Sequence, residues 1–183
     1  ETEIMKDYRI HVEELLDPLY RHGCRVFSVV GSGGKTTLIR QAAMHYARLY
    51  QVGVAASTKM CLPDGQWEYQ GCSPAVVSSD GQGDAKRQAA SICFYTEHIL
   101  PSGKIWNLGE QMLGQALEES DLLLIEADGS NRKPLKGWRE DEPVIIPATE
   151  ATIGILPMHC LGEIIDATKE HRMEKFTAIT GLK

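Results

Sequence analysis

The feature that most constrains the fold is a glycine-rich turn between an apolar run and a helical pattern. Residues 25–30 are almost all apolar, which is typical of a buried strand, and the glycines of residues 31–34 end that strand abruptly. From Lys35 to Tyr50, apolar residues recur at the spacing of an amphipathic helix. A strand, a glycine turn and a helix beginning at Lys-Thr-Thr together predict a loop whose N–H groups bind phosphate.

This phosphate loop (residues 31–37) predicts binding of a nucleoside triphosphate with magnesium. Lys35 would reach the β and γ phosphates, and the Thr36 hydroxyl would ligate Mg²⁺. The standard loop has a glycine six residues before the lysine, where this chain has Val29. The pattern G-x-x-G-K-[ST]-[ST] is instead similar to the short loop of the Mur ligase family of ATP-dependent enzymes. The alternative is a structural glycine turn with a surface lysine. The predicted phosphate-binding residues are Gly31, Ser32, Gly33, Gly34, Lys35, Thr36 and Thr37.

Apolar runs alternate with helical patterns along the chain. This alternation predicts an α/β fold of the three-layer, P-loop NTPase-like type, with a mostly parallel sheet and helices on both faces. Residues 1–23 are expected to form a helical lead-in, and residues 24–183 a single nucleotide-binding domain. Residues 62–72 and 129–142 are predicted loops, the second polar and basic. The predicted strands are residues 25–30, 54–57, 75–78, 91–96, 121–126, 144–146 and 152–156; the predicted helices are residues 8–20, 35–50, 84–90, 109–120 and 161–177.

Composition excludes several classes of function. The formal net charge of −6 argues against nucleic acid as a partner, because binding its phosphates requires a basic surface. No apolar run is long enough to cross a bilayer, so no membrane partner is expected. The five cysteines form no C-x-x-C pair, which favours a reducing cytoplasm. Because the chain begins at Glu1 and stops at Lys183, we expect it to lack C-terminal residues of the whole protein.

Two carboxylates follow the most apolar predicted strand, at the sheet edge where parallel α/β folds bind ligands. Glu126 is predicted to hold Mg²⁺ from the side opposite Thr36, and Glu126 and Asp128 to act as catalytic carboxylates that orient a nucleophile. Thr58, after the second strand, is a candidate second magnesium ligand. The alternatives are that Asp128 makes a turn with Gly129, that Glu126 caps a neighbouring element, and that Thr58 merely ends a strand.

Three cations follow in an otherwise acidic chain. Arg132, Lys133 and Lys136 are candidates to bind the γ phosphate or an anionic second substrate, and a solvated loop is an equal alternative. His171 and Arg172 are expected in the last helix, by default as a solvated pair. Cys61 and Cys72 flank the loop after Thr58 and are interpreted as either packed thiols or carriers of a sulfur, selenium or metal adduct.

Several of these segments together resemble one family. The phosphate loop is joined by Thr58-Lys59-Met60, by the run E-A-D-G-S at residues 126–130 with R-x-P-L-K following it, and by His171-Arg172. This combination is similar to the YqeC-type accessory proteins of selenium-dependent molybdenum hydroxylases. The resemblance implies a cytoplasmic maturation factor whose partner is the molybdenum cofactor or a molybdenum hydroxylase. The functional residues that it implies are Lys35, Thr36, Glu126, Asp128, Arg132 and Lys136, with added support for Thr58, His171 and Arg172.

Two functions therefore compete. The first is a magnesium-dependent NTPase or phosphotransferase whose nucleotide energy drives cofactor maturation. The second is a nucleotide-gated module that docks the hydroxylase or carries the cofactor with little turnover. A structural turn that binds no nucleotide is the third and least informative alternative. A GTPase-type N-K-x-D motif is missing at residues 131–134, which favours ATP over GTP.

Overall fold

The computed structural model describes residues 11–67, 74–79, 91–131, 133–160, 162, 164 and 170–181. The described helices are α1 Val12–Arg21, α2 Lys35–Tyr46, α3 Glu110–Glu119 and α4 Met173–Thr180. The described strands are β1 Val26–Gly31, β2 Val52–Ala56, β3 Lys59–Cys61, β4 Ala75–Ser78, β5 Ile92–Thr96, β6 His98–Leu100, β7 Lys104–Trp106, β8 Leu122–Glu126, β9 Leu135–Lys136, β10 Ala151–Ile155 and β11 Glu170–His171.

Six of the strands form one parallel sheet in the order β10-β1-β8-β2-β5-β4. The predicted α/β class with a mostly parallel sheet is confirmed. Strand β8 lies between β1 and β2, so the chain passes over it when it runs from β1 through α2 to β2. The predicted helix at residues 84–90 lies outside the described residues. Within the part of the chain that the structure covers, no helix has the length and apolar character needed to span a bilayer.

Two hydrophobic cores cover the two faces of this sheet. In β8, Leu122 and Leu124 belong to the core that also contains residues of α1 and α2, whereas Leu123 and Ile125 belong to the core with α3. All four side chains are at most 1% exposed. Each such burial stabilises the fold by about 1.5–3 kcal/mol. Burial on both faces explains why β8 is a continuous apolar run, and it produces the predicted three layers.

A small antiparallel sheet follows β2, and the sequence did not lead us to expect it. Its strand order is β3-β7-β6. Met60 of β3 and Ile105 of β7 are 3% and 0% exposed and join the core on the α1 and α2 side. Each of the three strands is only three residues long, too short for periodicity to distinguish it from a loop.

The predicted strand at residues 144–146 is wrong. Its backbone is irregular, and the Val144 amide donates a single hydrogen bond of 2.9 Å to the Ala127 carbonyl. Pro143 and Pro147 flank the segment, and a proline has no N–H to donate to a strand ladder. The three residues connect the loop after β8 to β10 instead of extending the sheet.

The predicted helix at residues 161–177 is also wrong in its bounds, although part of this range lies outside the described residues. Helix α4 begins at Met173, and His171 belongs to β11, which pairs in parallel with β9. Arg172 between them has a φ of 67°, a left-handed conformation that cannot continue a helix. Strand β9 lies in the segment predicted as a loop, because its two residues form a strand only when β11 pairs with them.

Candidate phosphate-binding site

The site lies where the carboxyl ends of β1, β8 and β2 meet. Glu126, the last residue of β8, is the register partner of Val29 on one side and of Ala56 on the other. The phosphate loop leaves β1 two residues after Val29, and Thr58 follows Ala56 by two residues. The parallel sheet thus brings three distant segments to one edge, as the sequence predicted.

The loop can follow its path only because three of its residues are glycines. Gly31, Gly33 and Gly34 have φ values of 107°, 67° and 85°, in the region that other residues rarely adopt. A Cβ atom at Gly31 would also collide with the carbonyl oxygen of Ile155 on β10. The same carbonyl accepts a 3.0 Å hydrogen bond from the Ser32 amide, which attaches the loop to the edge strand of the sheet.

Helix α2 begins at Lys35 with its N-terminus open to an anion. Its N-cap residue, Gly34, makes no side-chain cap hydrogen bond, and the first turn contains no acidic residue. The first N–H groups of a helix have no acceptor within the helix, and the helix dipole adds partial positive charge there. The side chains of Thr36 and Thr37 are exposed at this end. The helix start therefore offers several N–H donors to a phosphate group.

Lys35 is folded back onto its own loop. Its side chain is only 4% exposed, and Nζ donates a 2.6 Å hydrogen bond to the Gly31 carbonyl oxygen. The same Nζ atom is 3.2 Å from Asp128 Oδ1. The ammonium group thus lies between the Gly31 carbonyl of the phosphate loop and the Asp128 carboxylate.

The side-chain oxygens of Thr36 and Glu126 lie next to each other beside Lys35. The Thr36 hydroxyl donates a 2.8 Å hydrogen bond to Glu126 Oε2. Burial raises the pKa of Glu126, and the charge of Asp128 adds to this rise against the opposing effects of the Thr36 hydrogen bond and Lys35. The Thr58 hydroxyl is buried and has no hydrogen-bond partner among the described residues. A hydroxyl, a carboxylate and an unpartnered hydroxyl are oxygen ligands of the kind that Mg²⁺ prefers, so these residues fit the ion.

Asp128 lies behind the phosphate loop and is completely buried. Its carboxylate accepts hydrogen bonds of 3.1 and 3.0 Å from the Gly31 amide and one of 2.8 Å from Trp138 Nε1. Lys35 and Lys136 each place Nζ 3.2 Å from it. These contacts attach Asp128 to the loop and to both lysines, and it is not among the residues that line the cleft. Its predicted catalytic role stays a prediction.

The polar network continues away from the loop through Lys136. The Lys136 ammonium is 3.1 Å from Glu142 Oε2, and Arg172 Nη1 is 2.5 Å from the same oxygen. Burial of Glu142 would raise its pKa, but hydrogen bonds from Arg172 and Lys136 outweigh this effect and lower it. Burial and the charges of Arg172 and Lys136 lower the pKa of His171. Arg172 is thus ion-paired and not a solvated surface residue.

A cleft of about 630 Å³ opens at the front of the phosphate loop. The sequence did not single out Lys104, which lines the cleft from β7 and lies far from the motifs in the chain. Nor did it single out Trp138 and Glu142, which follow Lys136 closely in the chain but whose contacts with the network behind the loop depend on the tertiary structure. Arg132 and Cys72 lie outside the described residues, and the predicted phosphate contact of the buried Lys136 stays a prediction. The cleft is lined by Gly33, Gly34, Lys35, Thr36, Thr37, Lys59, Met60, Cys61, Lys104, Glu126, Gly129, Ser130 and Asn131.

Comparison with known proteins agrees with the motifs. The family model described as YqeC protein matches residues 27–174. A protein of Escherichia coli (strain K12), described as uncharacterized protein YqeC, is 32% identical over 161 residues, which are 86% of this chain and 61% of that relative. The chain thus spans less than two thirds of the relative's length. No solved structure matches the chain. Since the family model covers most of the residues that carry the fold and the site, the chain belongs to the YqeC family.

Proposed function

We propose that this chain binds a nucleoside triphosphate with magnesium and uses it in the maturation of a selenium-dependent molybdenum hydroxylase or its cofactor. The observation that carries the nucleotide site is the contact between Thr36 and Glu126 beside Lys35, at the open N-terminus of α2. A hydroxyl, a carboxylate and an ammonium group at the mouth of a glycine loop are the groups that a magnesium–triphosphate complex needs.

In this proposal, the phosphate loop binds the β and γ phosphates with its N–H groups. Lys35 exchanges its hydrogen bond with the Gly31 carbonyl for one with a phosphate oxygen. Thr36 and Glu126, with Thr58 from the neighbouring strand end, hold the metal. When bound, Mg²⁺ would neutralise charge that develops on the phosphate oxygens. Asp128 keeps the Gly31 amide in place throughout.

The reaction is transfer of the γ phosphoryl group to an oxygen nucleophile. A bond forms between that oxygen and the γ phosphorus, and the bond from the γ phosphorus to the bridging oxygen breaks, so that a nucleoside diphosphate leaves. When water is the acceptor, one of its protons stays on the new phosphate oxygen and the other passes to the phosphate product or to solvent. When a cofactor group is the acceptor, its proton passes to solvent. Lys35 and the loop amides stabilise the charge in either case.

The link to a selenium-dependent molybdenum hydroxylase rests on the family. The motifs at residues 31–38, 58–60 and 126–136 resemble those of accessory proteins for these enzymes. Membership of the YqeC family supports this link. ATP is the proposed nucleotide because residues 131–134 do not have the lysine and the aspartate at the positions that a guanine-binding N-K-x-D motif requires. We place the activity in the cytoplasm, as the family resemblance implies and the lack of a C-x-x-C pair favours.

Calorimetric titration of ATP and of GTP into the protein tests the nucleotide site. Each titration is done once with Mg²⁺ and once with EDTA. Lys35→Ala should lower the affinity for Mg-ATP roughly 10- to 100-fold, because it removes a charge-assisted hydrogen bond of about 1.5–3 kcal/mol. Thr36→Val should gain less affinity for ATP from Mg²⁺ than the wild type does, because it removes one of the metal ligands and keeps the side-chain shape.

Thr177→Val on α4 is the matched control and should bind as the wild type does. Since Lys35 is buried against Asp128, circular dichroism must show that Lys35→Ala is folded. Folded wild-type protein that binds neither nucleotide would refute the proposal. A wild type that binds GTP more tightly than ATP would correct the choice of base alone.

A nucleotide-gated module is the second candidate function, and the Asp128 network favours it. One carboxylate contacts both the phosphate loop and Lys136, which in turn pairs with Glu142 and so with Arg172 at the start of α4. Loss of Lys35 from Asp128 on nucleotide binding would therefore reach α4. Multiple turnovers of ATP with a small-molecule acceptor would favour the enzyme. Nucleotide-dependent affinity for a hydroxylase without turnover would favour the module.

A further inference from the structure

The small antiparallel sheet presents two lysines on one side. Alternation along β3 and β7 turns Met60 and Ile105 into the core, so that their neighbours in each strand face outward. In the strand register, Lys59 lies opposite Trp106, and Cys61 lies opposite Lys104. We call these four exposed side chains the lysine face.

Neither lysine of this face has a counter-charge within the described residues, where no carboxylate lies within ion-pair distance of Lys59 or Lys104. Lys35 and Lys136, by contrast, are both paired with Asp128. The Lys59 ammonium is 5.4 Å from the centroid of the Trp106 ring, a cation–π contact that keeps it on this face. In a chain of formal charge −6, two adjacent cations without a carboxylate favour an anionic ligand.

Three of the four side chains of the lysine face, all but Trp106, also form one wall of the cleft in front of the phosphate loop. Lys59, Cys61 and Lys104 line the same cleft as the first turn of α2 and Glu126. Because the phosphate loop and Lys35 already supply the donors for the β and γ phosphates, the cations of this separate wall are available to a second molecule. A ligand held there would lie beside the group that is transferred.

We infer that the lysine face binds the anionic group of the phosphoryl acceptor, a small molecule that carries a phosphate or a carboxylate. This inference rests on the proposed function and names the class of its second substrate. Lys59 and Lys104 bind the anion as two point charges, and the exposed Trp106 ring offers a surface for a planar part of the same molecule. Binding at this wall holds the acceptor against the γ phosphate and so supplies the orientation that transfer requires.

Phenyl phosphate and benzoate are the probes, because each combines a ring with one of the two anions. Each is titrated calorimetrically into the protein alone and into the protein saturated with Mg²⁺ and a non-hydrolysable ATP analogue. The variant Lys59→Gln/Lys104→Gln should weaken probe binding at least 10-fold and leave the affinity for the ATP analogue unchanged. Lys175→Gln, an exposed lysine of α4 outside the cleft, is the control and should bind the probes as the wild type does.

Cys61 supplies a second readout at the same place. Its exposed thiol lies opposite Lys104, so the bound probe should slow its alkylation by iodoacetamide, followed by peptide mass spectrometry. Protection of Cys61 that disappears in the double variant supports the inference. Binding of phenyl phosphate alone, or of benzoate alone, decides between the two anions.

Three results would overturn the inference. The first is no binding of either probe by wild-type protein, with and without the nucleotide. The second is probe binding that the double variant retains. The third is loss of affinity for the ATP analogue in the double variant, which would assign the two lysines to the triphosphate. Failure of the wild type to bind the ATP analogue while it still binds a probe would refute the nucleotide site and leave the anion site standing.

Discussion

At the scale of single residues, Asp128 contacts more groups of the site than its position before a glycine in a loop suggests. It is completely buried, yet it accepts hydrogen bonds from a backbone amide and an indole and lies 3.2 Å from each of two lysines. A buried carboxylate is costly unless such partners surround it, and the lysines are equally dependent on the carboxylate. Asp128 therefore holds the loop in shape before any ligand arrives.

Replacement of Asp128 by Asn should lower the free energy of unfolding by about 3–5 kcal/mol, because it leaves two buried ammonium groups without their shared counter-charge. Urea denaturation at neutral pH measures the change. The control is Asp141→Asn, which removes an exposed partner of Arg139 and should cost about 1 kcal/mol or less. Equal effects of the two substitutions would show that Asp128 does not stabilise the loop.

A second residue-scale expectation concerns Gly31. Gly31→Ala places a methyl group against the Ile155 carbonyl at a φ of 107°, so we expect a loss of stability of at least about 2 kcal/mol and weaker nucleotide binding. Gly154→Ala, at a neighbouring position on β10 with open space around it, should change stability by less than about 1 kcal/mol. Thermal unfolding of the two variants side by side makes the comparison, which fails if Gly31→Ala is as stable as Gly154→Ala.

At the scale of elements, β9 and the residues after it are attached to the phosphate loop from behind. Lys136 of β9 and Trp138 both bind Asp128, and β9 pairs with β11, which leads directly into α4. The Gly137 amide also donates a 2.8 Å hydrogen bond to the His171 carbonyl. Hydrogen-bonded contacts therefore connect the phosphate loop to α4 without a break.

Trp138 should report this coupling through its fluorescence. Under the proposed function, Mg-ATP draws Lys35 away from Asp128, and the hydrogen bond from Trp138 Nε1 to that carboxylate adjusts. We expect the tryptophan emission of the wild type to change in intensity or wavelength on titration with Mg-ATP. Trp138→Phe should lose that change while it still binds nucleotide by calorimetry. An identical change in Trp138→Phe would show that the signal arises elsewhere.

At the scale of the whole molecule, the ion pairs around Glu142 tie the C-terminal segment to the sheet. Glu142 is 3% exposed at its side chain and contacts Lys136, Arg139 and Arg172. Its pKa is lowered, so its ionised form is more favourable in the folded state than in the unfolded chain. Its contribution to stability is complete above the unfolded pKa of about 4.3 and is lost as the pH falls through the folded value.

The stability of the wild type should therefore fall as the pH is lowered from about 5. Glu142→Gln should be less stable than the wild type by about 1–3 kcal/mol at neutral pH, and the difference should shrink as the pH falls below about 4. Urea denaturation across this range measures both curves. Glu118→Gln, on the exposed side of α3, should follow the wild type within about 0.5 kcal/mol. A constant difference between Glu142→Gln and the wild type at every pH would contradict the assignment.

The sequence by itself determined which central elements follow one another along the chain and which residues lie at the mouth of the site. The apolar runs of β1 and β8, the helical period of α2 and the glycines between β1 and α2 are local patterns, so they are readable without the fold. That Thr36 and Glu126 come to the same edge also followed, because Glu126 ends one parallel strand and the loop that leads into Thr36 leaves another. Their direct hydrogen bond is a finding of the structure.

The tertiary structure alone decided which charges are buried and what lies on each side of the loop. Asp128 accepts a hydrogen bond from the amide of Gly31, which is 97 residues away in the chain. A residue whose local sequence suggests only a turn is thus the centre of an ion-pair network. Strands β9 and β11 exist only because they pair with each other, and β3 with β7 aligns Lys59 and Lys104 on one face. Such contacts join segments whose local sequence carries no signal for each other, since they depend on register and packing across the whole chain.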